Sequence, residues 1–138
     1  MLAACRTAVP PEPTVARTDG VVAASPHEVI SLIRAGAAAR GGRVANEGLD
    51  SLVIDFGATA ARIAIPGEGG SGARGELRET EVHCTSLYVV RAAGEGTAVT
   101  VLDNPTYWHP DARIWLAGPH GVAPGSELLR EFAAPSAR

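Results

Sequence analysis

Neither lysine nor glutamine occurs in this chain of 138 residues, and all twelve basic side chains are arginine. Without lysine there is no Schiff base and no Walker-type phosphate loop. Only two cysteines and four histidines are present, none spaced as CxxC or HxxxH, the pairs a zinc site prefers. No apolar run approaches the roughly 18 residues of a membrane-spanning helix. The formal net charge of -3 gives no basic face for nucleic acid. Asn104-Pro105-Thr106 is no glycosylation acceptor, because proline fills its middle position. Present instead are 16 glycines, 10 prolines and abundant alanine, a bias that reads as GC-rich coding. With 46% hydrophobic and 20% charged residues, the length suits one globular domain with a real core.

The clearest local signal is "SPHEVISLIRAGAAARGG". Ser25 is an N-cap, Pro26 fits the first helical position and Glu28 completes a capping box. Val29, Ile30, Ile33 and Ala37 recur at helical spacing, and Gly41-Gly42 ends the pattern. The main helix is therefore expected over 26–40, after a short strand at Val21 to Ala24. Beyond it the period drops to two. "RVANE", "SLVIDF", "ARIAIP", "ELRETEVHCTSLYVVRAA" and "TAVTVLD" read as strands. Val82, Cys84, Tyr88 and Val90 share one face of the longest, with Glu79, Glu81 and His83 on the other. "NPTYWHPDARIWLAGPHGVAPG" reads mostly as loop, with Ala112 to Ala117 open to strand or helix. Ser126 is expected to cap a short last helix, "ELLREF". The fold class is α+β: a two-layer sandwich of an antiparallel sheet of about four to six strands, packed by one main helix.

Candidate sites are few. Gly67-Glu68-Gly69-Gly70-Ser71-Gly72 matches GxGxxG, but a strand-like segment follows it where a nucleotide site needs a helix, so it reads as a hairpin connection. His83 and Cys84 are neighbours on one strand and point to opposite faces, so neither a metal nor another cofactor is expected. Cys84 reads as a small core residue. Ser86 or Cys84 with His109 and Asp111 could be arranged as nucleophile, base and orienter, but no GxSxG elbow supports the set and no catalytic residue is assigned. The strongest concentration of recognition chemistry is "NPTYWHPDARIWL", where Tyr107, Trp108, His109, Arg113 and Trp115 lie within nine positions. These five are the candidate partner or ligand contacts. The competing and favoured expectation is that Trp108 and Trp115 plug the open end of the core.

Leu2-Ala3-Ala4-Cys5 resembles the lipobox of bacterial lipoproteins, with a truncated signal before it. The resemblance covers four residues and implies a lipid on Cys5, which would become the mature N-terminus. Arg6 rather than aspartate after it then implies the periplasmic face of the outer membrane. If Met1 is the true start, the expectation is cytoplasmic instead. A disulfide between Cys5 and Cys84 is open unless Cys5 is lipidated. The proline-rich stretch holding Pro10, Pro11 and Pro13 reads as a tether. The expected organisation is signal remnant and tether over 1–20, one domain over 21–134 and a tail over 135–138. The expected function is a non-enzymatic cell-envelope lipoprotein that binds a partner protein or envelope component, with no nucleic acid. The alternative is a soluble domain holding a small ligand in a helix–sheet cavity; a small hydrolase using the His109 region ranks third.

Overall fold

The computed structural model describes residues 16–65, 76–109, 112–118 and 122–135. The capping box forms as the sequence dictates. Ser25 Oγ accepts the Glu28 N–H at 3.2 Å, and Glu28 Oε1 accepts the Ser25 N–H at 2.9 Å. Helix α1 (Pro26–Ala39) follows, burying Val29, Ile33 and Ala37, and Arg40 is its C-cap.

Strand β1 (Ala16–Val22) precedes α1; β2 (Arg43–Glu47), β3 (Ser51–Ile65), β4 (Glu76–Ala93), β5 (Gly96–His109) and β6 (Ile114–Ala117) follow it. Helix α2 (Pro124–Arg130) and the two-residue β7 (Ala134–Pro135) complete the order. The result is α+β. Seven strands form one antiparallel sheet in the order β2-β3-β4-β5-β1-β7, with β6 paired to β5 beside β1. The sheet has one strand more than the expected four to six; β7, of two residues, is too short to carry a periodicity.

One face of the sheet is lined by Leu52, Ile54, Tyr88, Val90, Val99 and Val101, packed with Val29 and Ile33 of α1 and Leu128 and Leu129 of α2. A smaller cluster, Val82 and Tyr107 with Ala61, Leu116 and Val122, continues that inner face toward β6. Burial alternates strictly along β4 from Glu81 to Arg91 and along β5, as the period of two requires.

Four sequence expectations change. β1 starts at Ala16, so residues 16–20 belong to the sheet and not to the tether. Its inward positions, Ala16, Thr18 and Gly20, are too small and polar to signal a strand; the ladder from Ala16↔Asp103 to Val22↔Thr97 holds them. "SLVIDF" and "ARIAIP" are one strand interrupted by a bulge between Asp55 and Ala58. Gly57 sits there at φ 77°, a left-handed value that glycine adopts without a Cβ penalty. The segment expected as loop from Asn104 continues β5 as far as His109. Ser126 does not cap α2, whose N-cap is Ala123; Ser126 lies inside the helix and is buried. The Gly67–Gly72 motif, Asp111, His120 and residues 1–15 lie outside the described residues.

Candidate functional site

The continuation of β5 through Asn104 to His109 decides where the aromatic segment points. Proline normally breaks a ladder because it has no N–H to donate. Pro105 escapes that cost by position. It pairs with Cys84 of β4 on one side, and on the other its carbonyl accepts the Gly118 N–H at 2.8 Å. In an antiparallel strand the N and C=O of one residue face the same neighbour. The missing N–H therefore faces Gly118, where the partner of β5 changes from β1 to β6.

With the strand intact, alternation sorts the five candidates. Tyr107 and His109 turn inward and are buried. Trp108 turns outward and is 43% exposed; across β6 its register partner Trp115 is 52% exposed. The two indoles meet edge-to-face, centroids 5.6 Å apart at 65°. His83, outward on β4, adds a third ring at 5.3 Å and 89° from Trp115. Edge-to-face packing at these separations is the favoured aromatic geometry. The rings already fill the space between them, so they present a platform rather than a cage for a cation. The expectation that Trp108 and Trp115 plug the core is thus replaced: Tyr107 does that work and both indoles face out.

The turn that pairs them is built by the other candidates. His109 Nδ1 accepts the Ala112 N–H at 3.1 Å, and the His109 carbonyl accepts the Arg113 N–H at 2.7 Å. Arg113 adopts φ 59°, a region costly for a residue with a Cβ. Its side chain is exposed beside the indoles in sequence. His83 was assigned to the outward face of β4 in the sequence but not to this cluster. Only the strand pairing brings it there.

A second constellation lies inward and has no counterpart in the sequence reading. Asp103, fully buried, accepts four hydrogen bonds from hydroxyl and backbone donors, with the Cys84 thiol a longer fifth at 4.0 Å. Oδ1 takes Ser86 Oγ–H at 2.5 Å and the Gly125 N–H at 2.8 Å. Oδ2 takes Ser126 Oγ–H at 2.5 Å and the Ser126 N–H at 3.1 Å. The carboxylate thereby satisfies two first-turn donors of α2, where a negative charge is stabilised. A Cβ on Gly125 would lie 2.5 Å from Ser86 Oγ, so only glycine admits this approach. Tyr88 Oη donates to the Gly125 carbonyl at 3.0 Å. The cluster holds α2 on the sheet.

It is not assembled for nucleophilic catalysis. Ser86 spends its proton on Asp103, and His109 is six residues farther along β5 than Asp103, roughly 20 Å at strand rise. The Cys84 thiol is pushed up to about 11 by burial, then by the charge of Asp103, which keeps it protonated at neutral pH. Among the described residues, no three His, Cys, Asp or Glu side chains group as a metal would need. No described helix is long and apolar enough to cross a membrane. No protein-family model, curated protein or solved structure matches the chain.

Proposed function

We propose that this chain is a non-enzymatic binding domain that presents the open face of its sheet to a protein partner in the bacterial cell envelope. In this reading the fold is a two-layer sandwich in which the helices stabilise one face and leave the other for contact. One observation carries it: Trp108 and Trp115, with His83 against them, are exposed on the face that no described helix covers. Large aromatics are usually buried, and a rigid exposed group of them is the composition of a binding hot spot. The envelope part of the proposal is supported by the lipobox-like Leu2-Ala3-Ala4-Cys5 alone. There the lipid on Cys5 would anchor the chain.

The test replaces Trp115 with a photo-crosslinking amino acid in the full-length chain expressed in a bacterial host. A discrete adduct that persists with Leu49→Ala and is lost with Trp108→Ala, at unchanged melting temperature, is the expected result. Adducts equally abundant in Trp108→Ala would remove the aromatic platform from the proposal. Incorporation of labelled palmitate that depends on Cys5 tests the anchor separately.

A further inference from the structure

On the opposite face from the indoles, a cleft of about 380 Å³ opens where the C-terminal end of α1, the β3 bulge and the start of α2 converge. Its volume falls within the range of small-molecule sites, roughly 300–1,000 Å³. Phe56, Cys84 and Pro124 supply apolar lining, Thr59 a hydroxyl, and Arg40 with Glu127 the charged rim.

The charges around this cleft are unequal. Among the described residues Arg40 is the one cation lining it, and its guanidinium is already engaged: Nη2 with Glu131, and Nη1 with Glu127 Oε1 at 3.7 Å. Against it stand Glu127 of α2, Glu131 at the C-cap of that helix, and Asp103 immediately behind the lining, with its Oδ1 4.0 Å from Cys84 Sγ. Asp55, at the bulge, adds a fourth carboxylate, which is paired with Arg43 Nη2 at 3.6 Å. The field reaches the cleft: after burial, Asp103 and then Asp55 are the charges that push the Cys84 thiol upward. Glu127 is the loose member of the set, since 3.7 Å is a charge contact without a hydrogen bond and its side chain is mostly exposed.

We infer that the cleft is a binding site for a small organic cation, a primary amine on a short apolar body. The ammonium takes the Glu127 carboxylate, and the apolar body lies over Phe56 and Pro124, where the aromatic face of Phe56 also favours a cation. A carboxylate of the same shape meets Glu127, Glu131 and the buried Asp103, with the Arg40 guanidinium already occupied. The site is independent of the aromatic platform, which lies on the other side of the sheet.

Three probes of near-identical shape test this on the full chain by amide and indole NMR: 2-phenylethylamine, 2-phenylethanol and 3-phenylpropionate. The expected result is saturable shifts at the Thr59 and Cys84 amides, with the amine about tenfold tighter than the alcohol and the acid. The Trp108 and Trp115 indole signals stay fixed. Glu127→Gln, at an exposed position, should bring the amine down to the affinity of the alcohol while the melting temperature holds. Equal affinity of the three probes, tighter binding of the acid, no saturable shift, or an amine preference that survives Glu127→Gln would each overturn the inference.

Discussion

Ser126 gives both its hydroxyl and its backbone N–H to one oxygen of Asp103, at 2.5 and 3.1 Å. A side chain inside the first turn of α2 is thus bound to the same group that receives the helix's own free donors. Hydrogen bonds to a charged group are worth about 1.5–3 kcal/mol each, and a buried donor left unpaired costs about 1–3 kcal/mol. Asp103→Asn keeps the shape but offers an NH₂ where two donors need an acceptor. Chemical denaturation should show a loss of about 2–4 kcal/mol. A loss below about 1 kcal/mol would mean that α2 is held by Leu128 and Leu129 alone.

Adjacent positions on β5 should respond oppositely. Trp108→Ala should change stability by less than about 1 kcal/mol, because the indole is half in solvent. Tyr107→Ala removes the largest side chain of the smaller core cluster and should cost about 3 kcal/mol or more. Fluorescence with Trp115→Phe isolates Trp108, whose emission should lie to the red and be quenched by iodide. A blue, unquenched spectrum would return Trp108 to the core.

Acid should weaken the start of α1. The Glu28 carboxyl is held below its ordinary 4.5, chiefly by the Ser25 backbone N–H, then by the Ser25 side chain. Asp19 is held below 3.8 by the Thr100 hydroxyl, then by the Arg17 hydrogen bond. A depressed folded value means stabilisation present above the unfolded value and lost as pH falls through the folded one. Stability should therefore decline below about pH 4.5, and Glu28→Gln should flatten part of that decline. An unchanged acid limb in Glu28→Gln would refute the assignment.

Alkali acts on the inner face. With the Cys84 thiol near 11 against an ordinary 9.0, the native state resists ionisation more than the unfolded chain. Stability tied to the neutral thiol is present below pH 9.0 and is lost as pH rises toward 11. Tyr88 is shifted upward as well, by burial first and then by Asp103, and adds to the same limb. Cys84→Ser should reduce the decline above pH 9. At pH 8, iodoacetamide should label Cys84 slowly in the native chain and rapidly in denaturant. Fast native labelling would contradict the raised value.

Much of the scaffold could be read from residues alone. The capping box with Val29, Ile33 and Ala37 marks α1, and the alternation from Val82 to Val90 marks the inner face of β4. What stayed hidden depended on partners. Thr18 and Gly20 are inward strand residues only because β5 lies beside them. Pro105 argued for a loop because the sequence does not say which neighbour its nitrogen faces. Ser126 looked like a cap, since a hydroxyl before an apolar run is the usual sign, yet it serves a carboxylate twenty-three positions away. For the candidate site, the sequence places the five residues on one segment. Their division into buried Tyr107 and His109 and exposed Trp108 and Trp115 required the strand that Pro105 concealed.

The change of partner along β5 divides the molecule mechanically. Residues 97–103 are tied to β1 and residues 106–109 to β6, while β4 runs behind both. At the junction Gly118 donates one bond to Pro105, which has no N–H to return. Separation of the β6 end would give up a short ladder, the Leu116 contact with Tyr107 and the ring contacts of Trp115 with Trp108 and His83, with the β1 ladder and α1 left intact. Amide exchange would register this as two classes of protection along a single strand. Trp115 rides on the weaker half while Trp108 and His83 stay on the central strands, so holding β6 in place and holding the three rings together are one and the same event.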